Sequence, residues 1–143
     1  MSQAEIRARI TAKLIRIYGE ERANAITTPL FKLLDDVSIP APERSDVTEK
    51  DAILITYGDQ VQREGEVPLA TLHDFAKETL KGTINTIHIL PFYPYSSDDG
   101  FSVIDYYAVN PMLGDWAEVS AMSDDFQLMF DAVFNHMSVQ SEW

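Results

Sequence analysis

The stretch that decides the fold lies at residues 84–106 and reads INTIHILPFYPYSSDDGFSVIDY. It begins with a short apolar run, rich in isoleucine, that ends at Pro91 and leads into a loop of aromatic, serine and aspartate residues. A short apolar run bounded by a proline is typical of a buried strand. In α/β proteins, the loops that leave the carboxyl ends of parallel strands carry the functional residues. We therefore expect the functional site around Asp98, Asp99 and Phe101.

Two further apolar runs flank this central strand. One covers residues 52–56 and the other covers residues 126–134, and a helical pattern separates each of them from residues 84–90. Strands that alternate with helices predict right-handed βαβ units, so we expect three parallel strands. The first run is continuously apolar, which predicts a strand that is covered on both faces. Loops after parallel strands emerge at one edge of the sheet, so Asp59, the Asp98 loop and His136 should lie at the same end.

Apolar stripes predict the two crossover helices. The first helix should begin near Pro68 and close at Gly82, and the second should cover about residues 116–122. The side chains expected to face inward from the first helix are Leu69, Leu72, Phe75, Ala76, Thr79 and Leu80.

The first 50 residues have a different pattern, with two amphipathic helices and a linker. Ser2 and Glu5 match a capping box, ahead of a helix that should end at Gly19. The second helix is predicted to begin with Thr28 as N-cap and Pro29 at the first helical position. Its buried side should be formed by Leu30, Leu33, Leu34 and Val37. Pro40 and Pro42 predict an extended linker over residues 38–50, so the predicted domains are residues 1–50 and residues 51–143.

The charge of the chain excludes some classes of partner. Eleven basic and 23 acidic residues give a formal net charge of −12, which makes a nucleic acid or an anionic membrane an unsuitable partner. After Lys81 the sequence has nine carboxylates and no lysine or arginine, so countercharges for this half must come from elsewhere. Cysteine is absent, no apolar run approaches 18 residues, and the first residues lack the apolar segment of a signal peptide. We therefore predict a cytoplasmic protein.

Each candidate site residue also has a purely structural interpretation. Asp98 and Asp99 could only shape a turn, or their carboxylates could accept hydrogen bonds from the paired hydroxyls of a sugar whose ring packs on Phe101. His136 follows an apolar strand at the predicted functional edge, so we expect it to belong to the site. His73 should be solvated, and His88 should be a hydrogen-bonded core residue. The interpretation of the loop tyrosines at positions 93, 95, 106 and 107 stays open between loop packing and ligand contact.

Two motifs resemble the α-amylase family, glycoside hydrolase family thirteen. They are DDGFSVIDY at residues 98–106, preceded by LPFYPYSS, and DAVFNH at residues 131–136. Within that family, ITYGD at residues 55–59 and the DDGF loop are similar to the sucrose-phosphorylase-like branch. The N-terminal extension is more similar to the glucosylglycerate-phosphorylase type. The resemblance implies the first three strands and two crossover helices of a (β/α)₈ barrel, an α/β fold, preceded by a helical hairpin.

The resemblance also implies roles for individual residues. In the family, the residue at the position of Asp98 accepts hydrogen bonds from the glucosyl 4-hydroxyl, the aromatic at Phe101 stacks on the ring, and the histidine at His136 donates to the 6-hydroxyl. Asn135 matches the residue that binds calcium in amylases. Phosphorylases of this branch generally lack that ion, so we predict no metal and no cofactor.

A complete barrel needs about 250 residues, so this chain has room for only three strands. The family's nucleophilic aspartate and acid/base glutamate belong to later strands, so we expect this chain alone to be inactive and to require the remainder of the barrel. The resemblance predicts the N-terminal segment of a retaining α-glucoside phosphorylase that uses a small α-glucoside and inorganic phosphate. A segment of a hydrolase or transglucosidase and a non-catalytic α/β binding module are the alternatives.

Overall fold

The computed structural model describes residues 2–37 and 47–142. The chain divides into two compact units between residues 45 and 46. The first unit is helical, and the second contains a three-stranded sheet with two helices. No helix in the described residues is both long and apolar enough to cross a lipid bilayer. The assignment of residues 1–50 and 51–143 as separate domains stays a prediction.

The first unit is the predicted pair of helices. α1 spans Gln3–Tyr18 and α2 spans Glu20–Asp36. Ser2 and Glu5 form the predicted capping box: the Ser2 N–H donates to Glu5 Oε2 at 2.6 Å, and the Glu5 N–H donates to Ser2 Oγ at 3.3 Å. Gly19 joins the helices with a φ of 79°, a conformation that glycine adopts at little cost.

The predicted start of α2 is wrong. The helix begins directly after Gly19, so Thr28 and Pro29 lie inside it. Proline at an interior position removes one backbone hydrogen bond, but the good helix formers of residues 20–26 extend the helix towards its amino terminus. A threonine–proline pair favours a helix start only locally, and the helix-forming residues that precede it override this preference.

The side of α2 that was predicted to be buried is largely exposed. Leu33 is 61% exposed, Leu34 and Val37 are exposed, and Leu30 is half-buried. Ala23 is the one fully buried residue that the described part of this unit contains. The predicted linker lies largely outside the described residues, including Pro40 and Pro42.

The second unit contains three parallel strands in the order β1–β2–β3, as predicted. β1 spans Ile53–Thr56, β2 spans Thr86–Ile89 and β3 spans Gln127–Phe130. Each strand is shorter than its apolar run. β2 sets this length, because both outer strands pair with all four of its residues and with no others.

The two crossover helices cover one face of the sheet. α3 spans Pro68–Phe75 and continues as a wider π-helical turn, Ala76–Leu80, and α4 spans Trp116–Ser123. A capping box of Asp115 and Glu118 begins α4. The core between sheet and helices contains Leu69, Leu72, Ala76, Ile87, Ile89, Phe92, Val109, Val119, Met122 and Phe126.

Two of the side chains predicted to face inward from the first crossover helix are exposed. They are Phe75 and Thr79, whereas Leu69, Leu72 and Ala76 are buried and Leu80 is half-buried. The π-helical turn explains part of this error, since its extra residue per turn shifts the positions after Ala76 around the helix axis.

The opposite face of the sheet is uncovered among the described residues. Ile55 in β1 is 62% exposed, and Ile53 and Met129 on the same face are also exposed. The prediction that β1 is covered on both faces is therefore wrong for this structure, in which helices pack on one face alone. In a closed (β/α)₈ barrel, this second face would be the barrel interior.

Candidate functional site

The three predicted site residues lie in loops that leave the carboxyl ends of β2 and β3. Asp98 begins a 3₁₀ turn, Asp98–Gly100, and Phe101 follows that turn. His136 lies six residues after Phe130, the end of β3. Asp98 and His136 are exposed and Phe101 is half-buried. Because the strands are parallel, both loops begin at the same end of the sheet, as predicted.

The turn that carries Asp98 has an unusual backbone. Asp98 and Asp99 have φ values of 60° and 48°, and Gly100 has a φ of 101°. Left-handed conformations are uncommon for residues other than glycine, although aspartate tolerates them better than most. The Phe101 N–H donates to the Asp98 carbonyl at 2.9 Å and closes the turn. Strain of this kind concentrates at functional sites, which agrees with the predicted role of the turn.

Gly100 anchors the turn to the end of β2. A Cβ atom at this position would lie 2.6 Å from the carbonyl oxygen of Pro91, which is closer than atoms can pack. Only glycine fits here without a shift of the backbone. The DDG sequence therefore lets the turn pack directly on the end of the strand.

The Asp98 turn is the tip of a small hairpin, residues 94–104. Tyr95 and Val103 form an antiparallel bridge, and the Ile104 N–H donates to the Pro94 carbonyl at 2.7 Å. One step nearer the tip, the Ser96 N–H donates to the Ser102 carbonyl at 3.0 Å. This hairpin holds the turn on a regular framework within a long loop.

The loop after β3, residues 131–142, is joined to this hairpin. The Ser138 N–H donates to the Val103 carbonyl at 2.9 Å, and the hydroxyl oxygens of Ser96 and Ser138 are 2.6 Å apart. His136 precedes Ser138 by two residues, and Asp98 follows Ser96 by two. The structure therefore brings the two predicted loops together, and the binding roles of Asp98, Phe101 and His136 stay predictions.

A cavity of about 380 Å³ opens at the same end of the sheet. The loop after β1 contributes Asp59 to its wall, and the Asp98 turn contributes Asp99. The predicted co-location of the loops after β1 and β2 is confirmed by this shared cavity. It is lined by Tyr57, Gly58, Asp59, Pro91, Tyr95, Asp99, Asn110, Met112 and Leu113.

A second cavity, of about 400 Å³, lies between the loops after β2 and β3 and is mainly aromatic and aliphatic. The Tyr106 hydroxyl donates to the Val133 carbonyl at 2.6 Å and so joins the two loops. Burial raises the pKa of Tyr93, and neighbouring Tyr106 and Asp131 raise it further. The Tyr93 phenol is therefore a hydrogen-bond donor at neutral pH. Tyr93, Tyr106, Tyr107, Val133, Phe134 and Met137 line this cavity.

Residues 80–143 match the family model for the α-amylase catalytic domain. These residues belong to the α-amylase family. The match begins just before β2 and includes both motifs that resemble the family, at residues 98–106 and 131–136.

Phosphorylases are among the relatives of this chain. It is 51% identical over 135 residues to the glucosylglycerate phosphorylase of Spirochaeta thermophila. The aligned region covers 89% of this chain and 23% of that protein. It is 35% identical over 91 residues to the sucrose phosphorylase of Streptococcus mutans, covering 64% of this chain and 18% of that protein. The chain thus spans about a quarter or less of the curated relatives it matches.

A solved structure agrees with the predicted fold. The sucrose 6F-phosphate phosphorylase of Thermoanaerobacter thermosaccharolyticum has a TM-score of 0.60 and 33% sequence identity. The match covers 68% of this chain and 19% of that protein. The three parallel strands and their crossover helices correspond to the N-terminal part of a (β/α)₈-barrel enzyme of the α-amylase family, as predicted.

His88 is hydrogen-bonded, as predicted for a core histidine of this α-amylase-family segment. Its Nε2 lies 3.0 Å from Oδ2 of Asp131, the residue that begins the DAVFNH motif. Both side chains are half-buried and lie on the face of the sheet opposite the helices. Sequence analysis identified the histidine, but it did not identify the partner.

The prediction that His73 is solvated is wrong. Its side chain is 14% exposed, and its Nε2 lies 3.0 Å from Oδ2 of Asp125. Lys77 and Lys81 also contact this carboxylate, at 2.8 and 2.5 Å. The three basic residues recur every four positions, a pattern that places them along one side of a helix and could have indicated a shared acidic partner.

These contacts provide the countercharge for one of the nine carboxylates that follow Lys81 in the sequence. Asp125 takes its countercharges from the α3 segment that precedes it in sequence. Hydrogen bonds from Lys77, Lys81 and His73 hold the pKa of Asp125 well below its ordinary value. The cluster lies just before β3 and therefore at the opposite end of the sheet from the predicted site.

The described residues contain no group of three acidic or histidine side chains arranged to hold a metal ion. Asn135, which matches the calcium ligand of amylases, is exposed in the loop after β3. The prediction that this chain binds no metal stays a prediction.

Proposed function

We propose that this chain forms the N-terminal, glucosyl-binding part of a retaining α-glucoside phosphorylase. The observation that carries the proposal is the 51% identity to a glucosylglycerate phosphorylase over most of the chain. The geometry supports it, because the Asp98 hairpin and the loop that carries His136 are hydrogen-bonded to each other at the carboxyl end of the sheet.

The proposed roles are those that the resemblance to the α-amylase family implies, and the chemistry of the three side chains suits them. The Asp98 carboxylate accepts hydrogen bonds from a glucosyl hydroxyl, and the Phe101 ring covers the apolar face of the sugar. The His136 ring donates to the 6-hydroxyl. Together they hold the glucosyl unit while its ring distorts towards an oxocarbenium-like transition state.

The reaction of the whole enzyme would proceed in two displacements. A carboxylate attacks the anomeric carbon, and a carboxylic acid about 5 Å away protonates the departing glycosidic oxygen. Inorganic phosphate then attacks the glucosyl-enzyme, which releases glucose 1-phosphate and restores the carboxylate. The family pattern assigns both catalytic carboxyl groups to later strands, so we propose that this chain alone is inactive.

The substrates of the whole enzyme would be a small α-glucoside and inorganic phosphate. No lysine or arginine follows Lys81 in this sequence, so the groups that bind phosphate would come from the remainder of the barrel. A cytoplasmic location suits an enzyme that uses phosphate and small glucosides.

A chimera tests the proposal. This chain replaces the matched segment of the Spirochaeta thermophila phosphorylase, and glucose 1-phosphate is measured with glucosylglycerate or sucrose as donor. We expect phosphate-dependent release of glucose 1-phosphate from the chimera and none from the 143-residue chain alone. Release of free glucose without glucose 1-phosphate would favour the hydrolase alternative. A folded chimera that does neither would favour the non-catalytic binding module.

A further inference from the structure

Ser96 and Ser138 form a hydrogen bond between two side chains that joins the loops carrying the predicted sugar-binding residues. Their hydroxyl oxygens are 2.6 Å apart, although 42 residues separate them in sequence. Ser96 belongs to the hairpin of residues 94–104, and Ser138 belongs to the loop after β3. The resemblance to the α-amylase family assigned a function to neither serine.

Ser138 is held more firmly than the residues around it. It is only 5% exposed, and its N–H donates to the Val103 carbonyl at 2.9 Å. Its Oγ accepts a hydrogen bond from the Gln140 N–H at 3.0 Å. A serine hydroxyl has one hydrogen and two lone pairs, so the Gln140 and Ser96 contacts together fix its direction. A buried hydroxyl with this many partners is an anchor point for its loop.

Apolar burial does not hold this part of the loop. Phe134, Asn135, His136, Met137 and Val139 are all exposed. The position of His136 therefore depends on the anchors on its two sides, the buried Val133 with its Tyr106 contact and Ser138, which follows His136 by two residues. Two residues of extended chain span at most about 7 Å, so a change at Ser138 is transmitted directly to His136.

On the hairpin side, two residues likewise separate the serine from the candidate sugar ligand. Ser96 precedes Asp98 by two residues, and its hydroxyl contacts Ser138 at the base of the strained turn. The hydroxyl pair thus lies equally near to both candidate sugar ligands along the chain. A change in the length of this contact would alter the separation of Asp98 and His136.

We infer that Ser96 and Ser138 are positioning residues, whose hydroxyl pair sets the spacing between Asp98 and His136 across the glucosyl site. This inference rests on the proposed function, because it assumes that Asp98 and His136 bind the same glucosyl unit. A displacement of about 1 Å in a substrate-positioning group can cost on the order of 100-fold in rate. Loss of the pair should therefore lower kcat more than it raises KM.

Threonine and valine substitutions at Ser96 provide the test, because these two residues have the same shape and Ser96 is exposed. In the chimera, Ser96→Thr keeps the hydroxyl, whereas Ser96→Val has the shape of threonine without the hydroxyl. We expect Ser96→Val to lower kcat about tenfold with a small change in KM, and Ser96→Thr to keep near-normal activity. Ser97→Val is the matched control, because Ser97 is adjacent, exposed and makes no side-chain capping bond.

A second measurement tests whether the two serines act as a unit. Ser96→Val and Ser138→Ala should each lower kcat, and the double variant should be no worse than the poorer single variant. Multiplicative losses, or equal activity of the threonine and valine variants at position 96, would overturn the inference.

Amide hydrogen exchange in the chimera separates this inference from the proposed function. We expect Ser96→Val, and not Ser96→Thr, to speed exchange of the Ser138 amide. An inactive parent chimera would refute the proposed function while leaving this structural link intact. Unchanged exchange in Ser96→Val would refute the link itself.

Discussion

The Nε2 atom of His73 lies 3.0 Å from the carboxylate of Asp125, and this contact joins the first crossover helix to the turn before β3. Lys77 and Lys81 contact the same carboxylate. In (β/α)₈ barrels, the amino-terminal ends of the strands serve stability rather than chemistry. The Asp125 cluster therefore stabilises the sheet at the end opposite the candidate site.

The first prediction concerns the acid stability of the chain. The pKa of Asp125 is lowered by its hydrogen bonds to Lys77, Lys81 and His73, so the contribution of this carboxylate is complete above its ordinary pKa of 3.8. That contribution is lost as the pH falls through the lower folded value. We expect Asp125→Asn to lower the melting temperature at pH 7 and to reduce the loss of stability between pH 5 and pH 2. Thermal unfolding measured across this range provides the check.

Asp124→Asn is the matched control for that experiment. Asp124 is adjacent to Asp125 and exposed, and its replacement by asparagine removes the same formal charge. An equal change in both variants would show that net charge, and not the cluster, determines the pH dependence.

The second prediction concerns the glycine at the tip of the hairpin. Gly100→Ala should lower the free energy of unfolding by about 3 kcal/mol, because the left-handed backbone costs about 1–2 kcal/mol and the new Cβ would also clash with the Pro91 carbonyl. Gly82→Ala has a similar φ of 87° with no atom within 4 Å, so it should cost only about 1 kcal/mol. Urea unfolding of both variants compares them. Equal losses of unfolding free energy in the two variants would mean that the close approach to Pro91 adds nothing to the cost of Gly100→Ala.

Sequence analysis predicted the parts of the fold that local patterns determine. The three apolar runs became three parallel strands, and Ser2 with Glu5 formed its capping box. The common edge of the loops followed from parallel pairing alone, because strand direction determines where each loop emerges. These predictions depend on short stretches of sequence and on general rules of connectivity.

The errors arose where the outcome depends on residues outside the local motif, whether they are near or distant in sequence. Thr28 and Pro29 resemble a helix start, but the preceding residues already form the helix. His73 looked solvated because its partner, Asp125, lies 52 residues later. The Ser96–Ser138 pair has no sequence signal either, since serines are common and only the folded loops bring these two together.

The third prediction tests the central candidate residue. Asp98→Ala in the chimera should lower kcat/KM by on the order of 2 to 4 kcal/mol, because the hydroxyl partners of the carboxylate are left unpaired. Asp99→Ala is a close control, since it changes the same charge in the same strained turn but faces the cavity shared with Asp59. We expect less than about a tenfold loss from it. Steady-state kinetics with glucosylglycerate gives both values, and unchanged kinetics in Asp98→Ala would end its assignment.

The fourth prediction concerns the uncovered face of the sheet. Ile53, Ile55 and Met129 expose apolar surface, and β1 and β3 each pair with one neighbour among the described residues. Such faces and edges promote association, so we expect the isolated chain to elute as an oligomer or aggregate in size-exclusion chromatography.

Ile55→Lys should shift that elution towards the monomer. Val67→Lys adds the same charge at another exposed apolar residue, outside the sheet, and should have little effect. A parent chain that elutes as a folded monomer at all concentrations would instead favour the binding-module alternative.

The fifth prediction concerns the pair of His88 and Asp131, which lies beneath the candidate site on the uncovered face of the sheet. Their side chains are 3.0 Å apart and half-buried, so removing one partner leaves the other without its hydrogen bond. We expect His88→Leu and Asp131→Leu each to lower the free energy of unfolding by about 1–3 kcal/mol.

The double variant should lose less than the sum of the two single variants, because the second substitution removes a group that is already unpaired. Thr86 and Gln127 occupy the same pair of strands at a longer distance of 3.4 Å, so Thr86→Val with Gln127→Leu forms a matched cycle. That cycle should show weaker coupling, since hydrogen bonds weaken with distance. Urea unfolding of both cycles measures the two coupling energies. If His88 and Asp131 prove additive, the contact at the exit of β3 contributes nothing to stability, and the DAVFNH loop must be held by Ser138 and Tyr106 instead.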